Sequence, residues 1–220
     1  MVEINKLVRS KRKTLALVVE ADGSLTVRAP LRMKEADIRS FIEEKKAWIL
    51  QKQAKAREEA HTPRRYEEGE VFPYLGKEIP LRIVPDGKPA LVKTSVFKLA
   101  RSVRPQAETH FETWYRKQAR VVLAERVVYF ARKHDFKVGK VRISSACTRW
   151  GSYSSKGTLS FTWRLVMAPL EVIDYVVVHE LCHLRVMNHS KAFWAHVERI
   201  LPDYKARRNW LKNNGASLNF

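Results

Sequence analysis

The chain has little cysteine, few acids and no long apolar run, and each shortage excludes a class of protein. Only Cys147 and Cys182 occur in its 220 residues, too few for the disulfide framework of a secreted protein of this size. No apolar stretch approaches the roughly 18 residues that a membrane span needs. The opening segment MVEINKLVRSKRK is basic, but no apolar core of a signal peptide follows it. A cytoplasmic setting without a membrane partner is therefore expected. Repeats and low-complexity linkers are also missing. Against 42 Lys and Arg stand only 23 Asp and Glu, a formal charge of +19. Such a field attracts polyanions, nucleic acid first among them. No helix-turn-helix, zinc-finger spacing or RNA-binding aromatic signature accompanies it, so the charge by itself supports only non-specific contact.

What is present reads as a mixed chain. Leu15, Leu17 and Val19 alternate, as do Leu25 and Val27 after an Asp22-Gly23 turn signal, which predicts a hairpin. Ile38, Phe41, Ile42, Trp48 and Ile49 fall at helical spacing over residues 34–59, and Pro63 bars continuation. VFPYLGKEIPLRIV and ALVKTSVFKLA read as further strands, turning at Gly76-Lys77 and Pro85-Asp86-Gly87. A second helix is expected from about Pro105 to His134. The segment 141–150 reads as a strand and GSYSSKG as a polar loop. TLSFTWRL, 158–165, alternates with Leu159, Phe161, Trp163 and Leu165 on one face. Pro169 suits the first turn of a helix, and Ile173, Val176, Val177, Val178 and Leu181 make that helix apolar on most sides, hence deeply buried. The expectation is an α+β protein with a β-rich region over 1–104 and a second domain over 105–220.

The buried helix carries the chemistry. In VVVHELCHLRVMNHSKAFW, His179 and His183 are four apart and so project from one face, where two imidazole nitrogens can reach one zinc ion. Glu180 sits beside them, placed to take a proton from water rather than to ligate; this is the logic of His-Glu-x-x-His. A catalytic zinc wants three protein ligands and one open position. His189 is the obvious third, but on a continuous helix it would point about 120° from His183. The chain must therefore break: Asn188 is suited to a left-handed helix end, Ser190 to capping the next helix, Pro202 to stopping it and Asp203 to capping another, closed by Gly215. Histidines satisfied by hydrogen bonds in a core are the bland alternative, but a glutamate on a buried helix is costly unless a cation offsets it. Cys182 points about 60° from His179 and reads as a small buried apolar residue. Phe193 and Trp194 read as core beneath the third histidine, and His196 as an exposed helix histidine.

The run RWGSYSSKGTLSFTWRLVMAPLEVIDYVVVHELCHLRVMNHSKAFW resembles the YgjP-like family of small zinc metallopeptidases, relatives of the SprT-like proteases. The likeness extends to RSKRKTLALVV, YLGKEIPLRIV and PDYKARRNWLKNNG. It implies His179, His183 and His189 as ligands of Zn2+, Glu180 as catalytic acid and base, a polypeptide substrate, and a minimal zincin-like core of helix, antiparallel-rich sheet and active-site helix. One departure is Tyr153, where the family pattern leads one to expect cysteine. The strand 158–165 is expected to offer an edge to an extended substrate. Tyr204, Arg149, Arg207 and Arg208 are candidates for oxyanion or substrate contact, each with a packing or surface role as its alternative. Two other readings stay open. In a deformylase-like amidohydrolase Cys147 would replace His189 as ligand; in a nucleic-acid-binding module the zinc would be structural. A peptidase working near nucleic acid combines the charge with the motif.

Overall fold

The computed structural model describes residues 2–20, 23–58, 64–154 and 156–218; the turn residue Asp22 and the helix-stopping Pro63 fall outside them. The chain divides into two compact units, Met1–Thr62 and Pro63–Phe220. Among the described residues it forms six α-helices and three small mixed sheets. No helix among them is long and apolar enough to cross a membrane.

The first unit holds β1 (Lys6–Ser10), β2 (Ala16–Val19), β3 (Leu25–Pro30), α1 (Glu35–Glu44) and α2 (Lys46–Glu58). The expected hairpin forms, with Val19 opposite Leu25. β1 adds in parallel to the other side of β3; its mostly exposed side chains gave no alternation to read. Leu25, Val27 and Ala29 face Ile38, Ile42 and Ile49 in a separate small core. The single helix expected over 34–59 is interrupted at Lys45 (φ −96°, ψ 9°), and Trp48 is left largely exposed.

The second unit begins with β4 (Val71–Tyr74), β5 (Lys77–Val84), β6 (Leu91–Lys93) and β7 (Phe97–Ala100), in the order β4-β5-β7-β6. A 3-10 turn over Arg101–Gln106 leads into α3 (Ala107–Lys133). The division expected near residue 104 falls inside this unit. Phe111 on α3 stacks on Phe72 at 4.1 Å and meets Phe97 at 5.0 Å, so the strands and the helix share one core. There follow β8 (Lys140–Ser144), β9 (Gly151–Tyr153), β10 (Thr158–Thr162), a 3-10 turn over Trp163–Met167, then α4 (Leu170–Cys182), α5 (Lys191–Ile200) and α6 (Tyr204–Asn214).

Several expectations change here. The strand over 141–150 ends at Ser144, and the supposed polar loop contains β9. The sheet is mixed rather than antiparallel-rich: β10 pairs in parallel with β8 and antiparallel with β9. β10 is therefore central and has no free edge, so substrate cannot add to it. Nor does the alternation run to 165. Trp163, Leu165, Val166 and Met167 are all buried; a strand buries alternate residues on each face, whereas the 3-10 turn lets consecutive apolar side chains enter the core. Pro169 stands just before the first turn of α4 rather than inside it.

Two contacts hold α4 in place. The Arg126 guanidinium on α3 grips the Asp174 carboxylate through two bonds of 2.6 and 2.9 Å. The β4–β5 turn, with Leu75 and Gly76 both at positive φ, donates its amides to the carbonyls of Val166 and Met167. A Cβ on Gly76 would stand 2.9 Å from the Cα and Cγ of Pro169. Gly76→Ala should thus add overpacking, about 1–3 kcal/mol, to the left-handed cost of about 1–2 kcal/mol. Gly69→Ala, also at positive φ but with open space around it, should show the backbone cost alone. Urea midpoints of the two variants test this; equal losses would refute the contact.

Candidate metal centre

α4 is apolar because it threads the core, and its last turn is where polar groups enter. Val176, Val177, Val178 and Leu181 are buried; His179 and Glu180 are the polar pair among them. His183 follows as the C-cap, still right-handed (φ −65°, ψ −19°). The amides of Leu184, Arg185 and Val186 then bond back to the carbonyls of Leu181 and Cys182 at 3.0 Å, which ends the helix. The left-handed residue expected at Asn188 is absent: the helix has already closed five residues earlier, and Asn188 has no positive φ. Instead its Oδ1 accepts the Ser190 amide at 3.3 Å. Ser190 does stand at the N-cap of α5, although its hydroxyl makes no capping bond.

That reversal brings His189 back over the helix. Ring centroids are 5.0 Å apart for His179–His183, 4.9 Å for His179–His189 and 4.8 Å for His183–His189. One nitrogen from each ring lies within 4.8 Å of the other two, a group able to hold a metal ion. The Nε2 atoms of His179 and His189 are 3.0 Å apart. Two ligands of a tetrahedral zinc, each at 2.0–2.1 Å, stand about 3.3 Å from one another, so the donor set fits such an ion. His183 Nδ1 lies 3.1 Å from the Val186 carbonyl oxygen; donating its proton there leaves Nε2 with a free lone pair. His179 Nδ1 is buried and has no partner among the described residues.

Burial favours the neutral form of the His179 and His183 rings, the form able to ligate. It pushes His179 down to about 3, with His183, His189 and Arg208 adding to the effect. His183 is lowered as well, first by burial, with the Val186 carbonyl pulling the other way. Glu180 is 5% exposed; burial raises its carboxyl to about 7, and the Arg149 charge draws it back.

The walls come from β9, α5 and α6. Gly151, in β9, lies directly against Glu180: a Cβ there would be 2.6 Å from both Cγ and Oε1 of the glutamate. Sequence reasoning missed this residue, since a glycine opening a polar stretch carries no signal of what it faces. Phe193 packs under all three imidazoles at 4.6–4.9 Å, and Trp194 stacks on His189 at 5.8 Å. Both behave as the expected core beneath the third histidine. Tyr204 is buried and stacks on Trp194 at 5.4 Å. The Arg208 guanidinium lies 4.8 Å over the same indole. Arg207 points to a bracing role, bonded to Asp203 at 2.9 Å and to the Glu171 carbonyl at 3.0 Å. Arg149 is exposed beside β9.

The remaining candidates lie outside the cluster. Cys147 is an exposed free thiol, 3.4 Å from the Ser145 carbonyl oxygen, and Cys182 is free and buried. Neither belongs to a group able to hold a metal among the described residues. His196 is half-buried and meets Arg199. Tyr153 ends β9 opposite Leu159.

The family described as YgjP-like, metallopeptidase domain, matches residues 13–214. No curated protein matches the chain. Among solved structures, the metallopeptidase zymogen of Pyrococcus abyssi abylysin is 24% identical, over 41% of this chain and 93% of that one, with a TM-score of 0.38. The family match spans nearly the whole sequence, both compact units and the histidine cluster included, and on that ground the chain belongs to the YgjP-like metallopeptidases.

Proposed function

We propose that His179, His183 and His189 hold one zinc ion and that Glu180 is the general base and acid of peptide-bond hydrolysis. The observation that carries this is the convergence of three imidazole nitrogens within 4.8 Å, beside a buried carboxyl. Bound there, zinc would lower the pKa of water towards about 7 and polarise a carbonyl. Glu180 takes the proton of the attacking water and passes it to the leaving amine. Desolvation of its carboxyl makes the proton easier to keep between those two transfers. Phe193 and Trp194 fix the imidazole planes and keep bulk water from beneath them. For substrate, β9 replaces the strand first expected. Among the described residues it pairs only with β10, so its outer edge can take an extended polypeptide by main-chain bonds. Arg149 and Arg208 are the side chains placed to meet that polypeptide.

The ligand set separates this reading from the amidohydrolase one, which needs Cys147, and from a structural zinc, which needs a fourth protein ligand. Metal analysis of purified protein should find about one zinc per chain. His189→Ala should lose most of it and Cys147→Ser should keep it; the reverse pattern would overturn the assignment. Glu180→Gln should retain zinc while cleavage of an unfolded protein substrate falls by about 10²–10⁴-fold, and full activity in that variant would rule out the base. Gly151→Ala should keep zinc too, because its new methyl group displaces the carboxylate rather than a ligand. Its turnover should drop by about 10²-fold, the scale on which a misplaced catalytic group acts; wild-type turnover would show that the close approach does not matter.

A further inference from the structure

Cations outnumber carboxylates around the histidine cluster. Residues 136–170, which contain β8, β9 and β10, hold six Lys and Arg and no Asp or Glu. Residues 181–197, from the end of α4 through most of α5, hold two and none; residues 204–220, with α6, hold four and none. On α4 itself, Asp174 is engaged by Arg126. Glu171 lies in the first turn, about 18 Å along the axis from His183 at about 1.5 Å per residue. Glu198 on α5 and Asp203 at the start of α6 are taken by Lys205 at 3.6 Å and Arg207 at 2.9 Å, and Glu180 is buried.

Arg208 and Arg149 flank the site from two sides, and both are exposed. Arg208 has Tyr204, Lys205, Leu211 and Lys212 three and four residues away, so α6 offers it no acid. Its guanidinium rests on Trp194, which in turn stacks on the ligand candidate His189. Arg149 lies two residues before the glycine that faces Glu180. Among the described residues neither arginine has a hydrogen bond or ion pair. Arg208, held on the indole, presents the planar guanidinium that recognises a carboxylate in two parallel bonds, and Arg149 adds a second exposed guanidinium whose charge also acts on Glu180.

We propose that the substrate is an acidic polypeptide, with Arg149 and Arg208 each binding a carboxylate side chain near the scissile bond. This rests on the peptidase reading above. A peptide fits better than a nucleic acid because Arg149 adjoins β9 and acts on Glu180 while Arg208 acts on His179, so both cations border the hydrolytic groups. Trp194 is covered by His189, Tyr204 and Arg208 and offers no face for a base to stack on.

The test uses three fluorogenic peptides of one sequence, bearing Glu, Gln or Lys on both sides of the cleaved bond. At low salt the wild-type protein should prefer the Glu peptide by roughly tenfold per carboxylate, mainly through KM. The preference should collapse as screening shortens to about 3 Å near 1 M salt. Arg208→Glu and Arg149→Glu should each shift the ranking towards the Lys peptide. Cleavage of all three at equal rates would overturn the proposal and leave the peptidase reading intact. If the wild type cleaves none, the peptidase reading fails, and fluorescence anisotropy with Glu180→Gln still decides the proposal. Tighter binding of labelled Glu peptide supports it; equal binding refutes it. Tighter binding of a single-stranded oligonucleotide of the same charge would also overturn it, assigning the cations to nucleic acid.

Discussion

The site depends on where α4 stops. Two histidines four residues apart share a helix face whatever follows, but a third ligand six residues on cannot join them unless the helix ends at once. Here it ends with His183 itself at the cap. The carbonyls of Leu181 and Cys182, left unpaired by the break, are taken by the amides of the next turn. His183 shares in the same closure through the Val186 carbonyl. One short loop thus satisfies the helix end, fixes the tautomer of one ligand candidate and returns the other.

Such a loop could not position three rings on a mobile helix, and the rest of the second unit restrains α4. Arg126 holds it from α3, the β4–β5 turn abuts Pro169, and β9 lies so close to Glu180 that a Cβ at Gly151 would meet its side chain. The desolvation that depresses His179 and raises Glu180 is the electrostatic face of that packing. Imidazoles kept neutral are ready to ligate, and a carboxyl whose proton affinity is raised is suited to accept and release a proton.

Outside the buried pair the sign of the charge reverses. The segments that frame the cluster carry more cations than acids, and Asp174, Glu198 and Asp203 are paired with Arg126, Lys205 and Arg207. A buried carboxyl inside a mostly positive rim suits the base proposed for it, and such a rim attracts anionic groups.

Much of this was legible in the chain. Helical spacing placed His179 and His183 together, the run of valines announced a buried helix, and the required break before His189 followed from 100° per residue. The β4–β7 strands and α3 were readable from period and turn residues. Other features were not. β9 occupies a stretch of Gly, Ser and Tyr that reads as a loop, because its strand character comes from pairing with β10 and not from its own residues. The central place of β10 is a matter of strand order, which no local pattern records. The alternation read over 158–165 stops at Thr162, because Trp163, Leu165, Val166 and Met167 all enter the core through a 3-10 turn. Sequence by itself determined which groups are the candidates for the chemistry and that the chain had to turn back to bring the three histidines together. Tertiary structure alone decided which strand edge stays open, what stands against Glu180 and which arginines remain unpaired, since each of these is set by contacts between residues far apart in the chain.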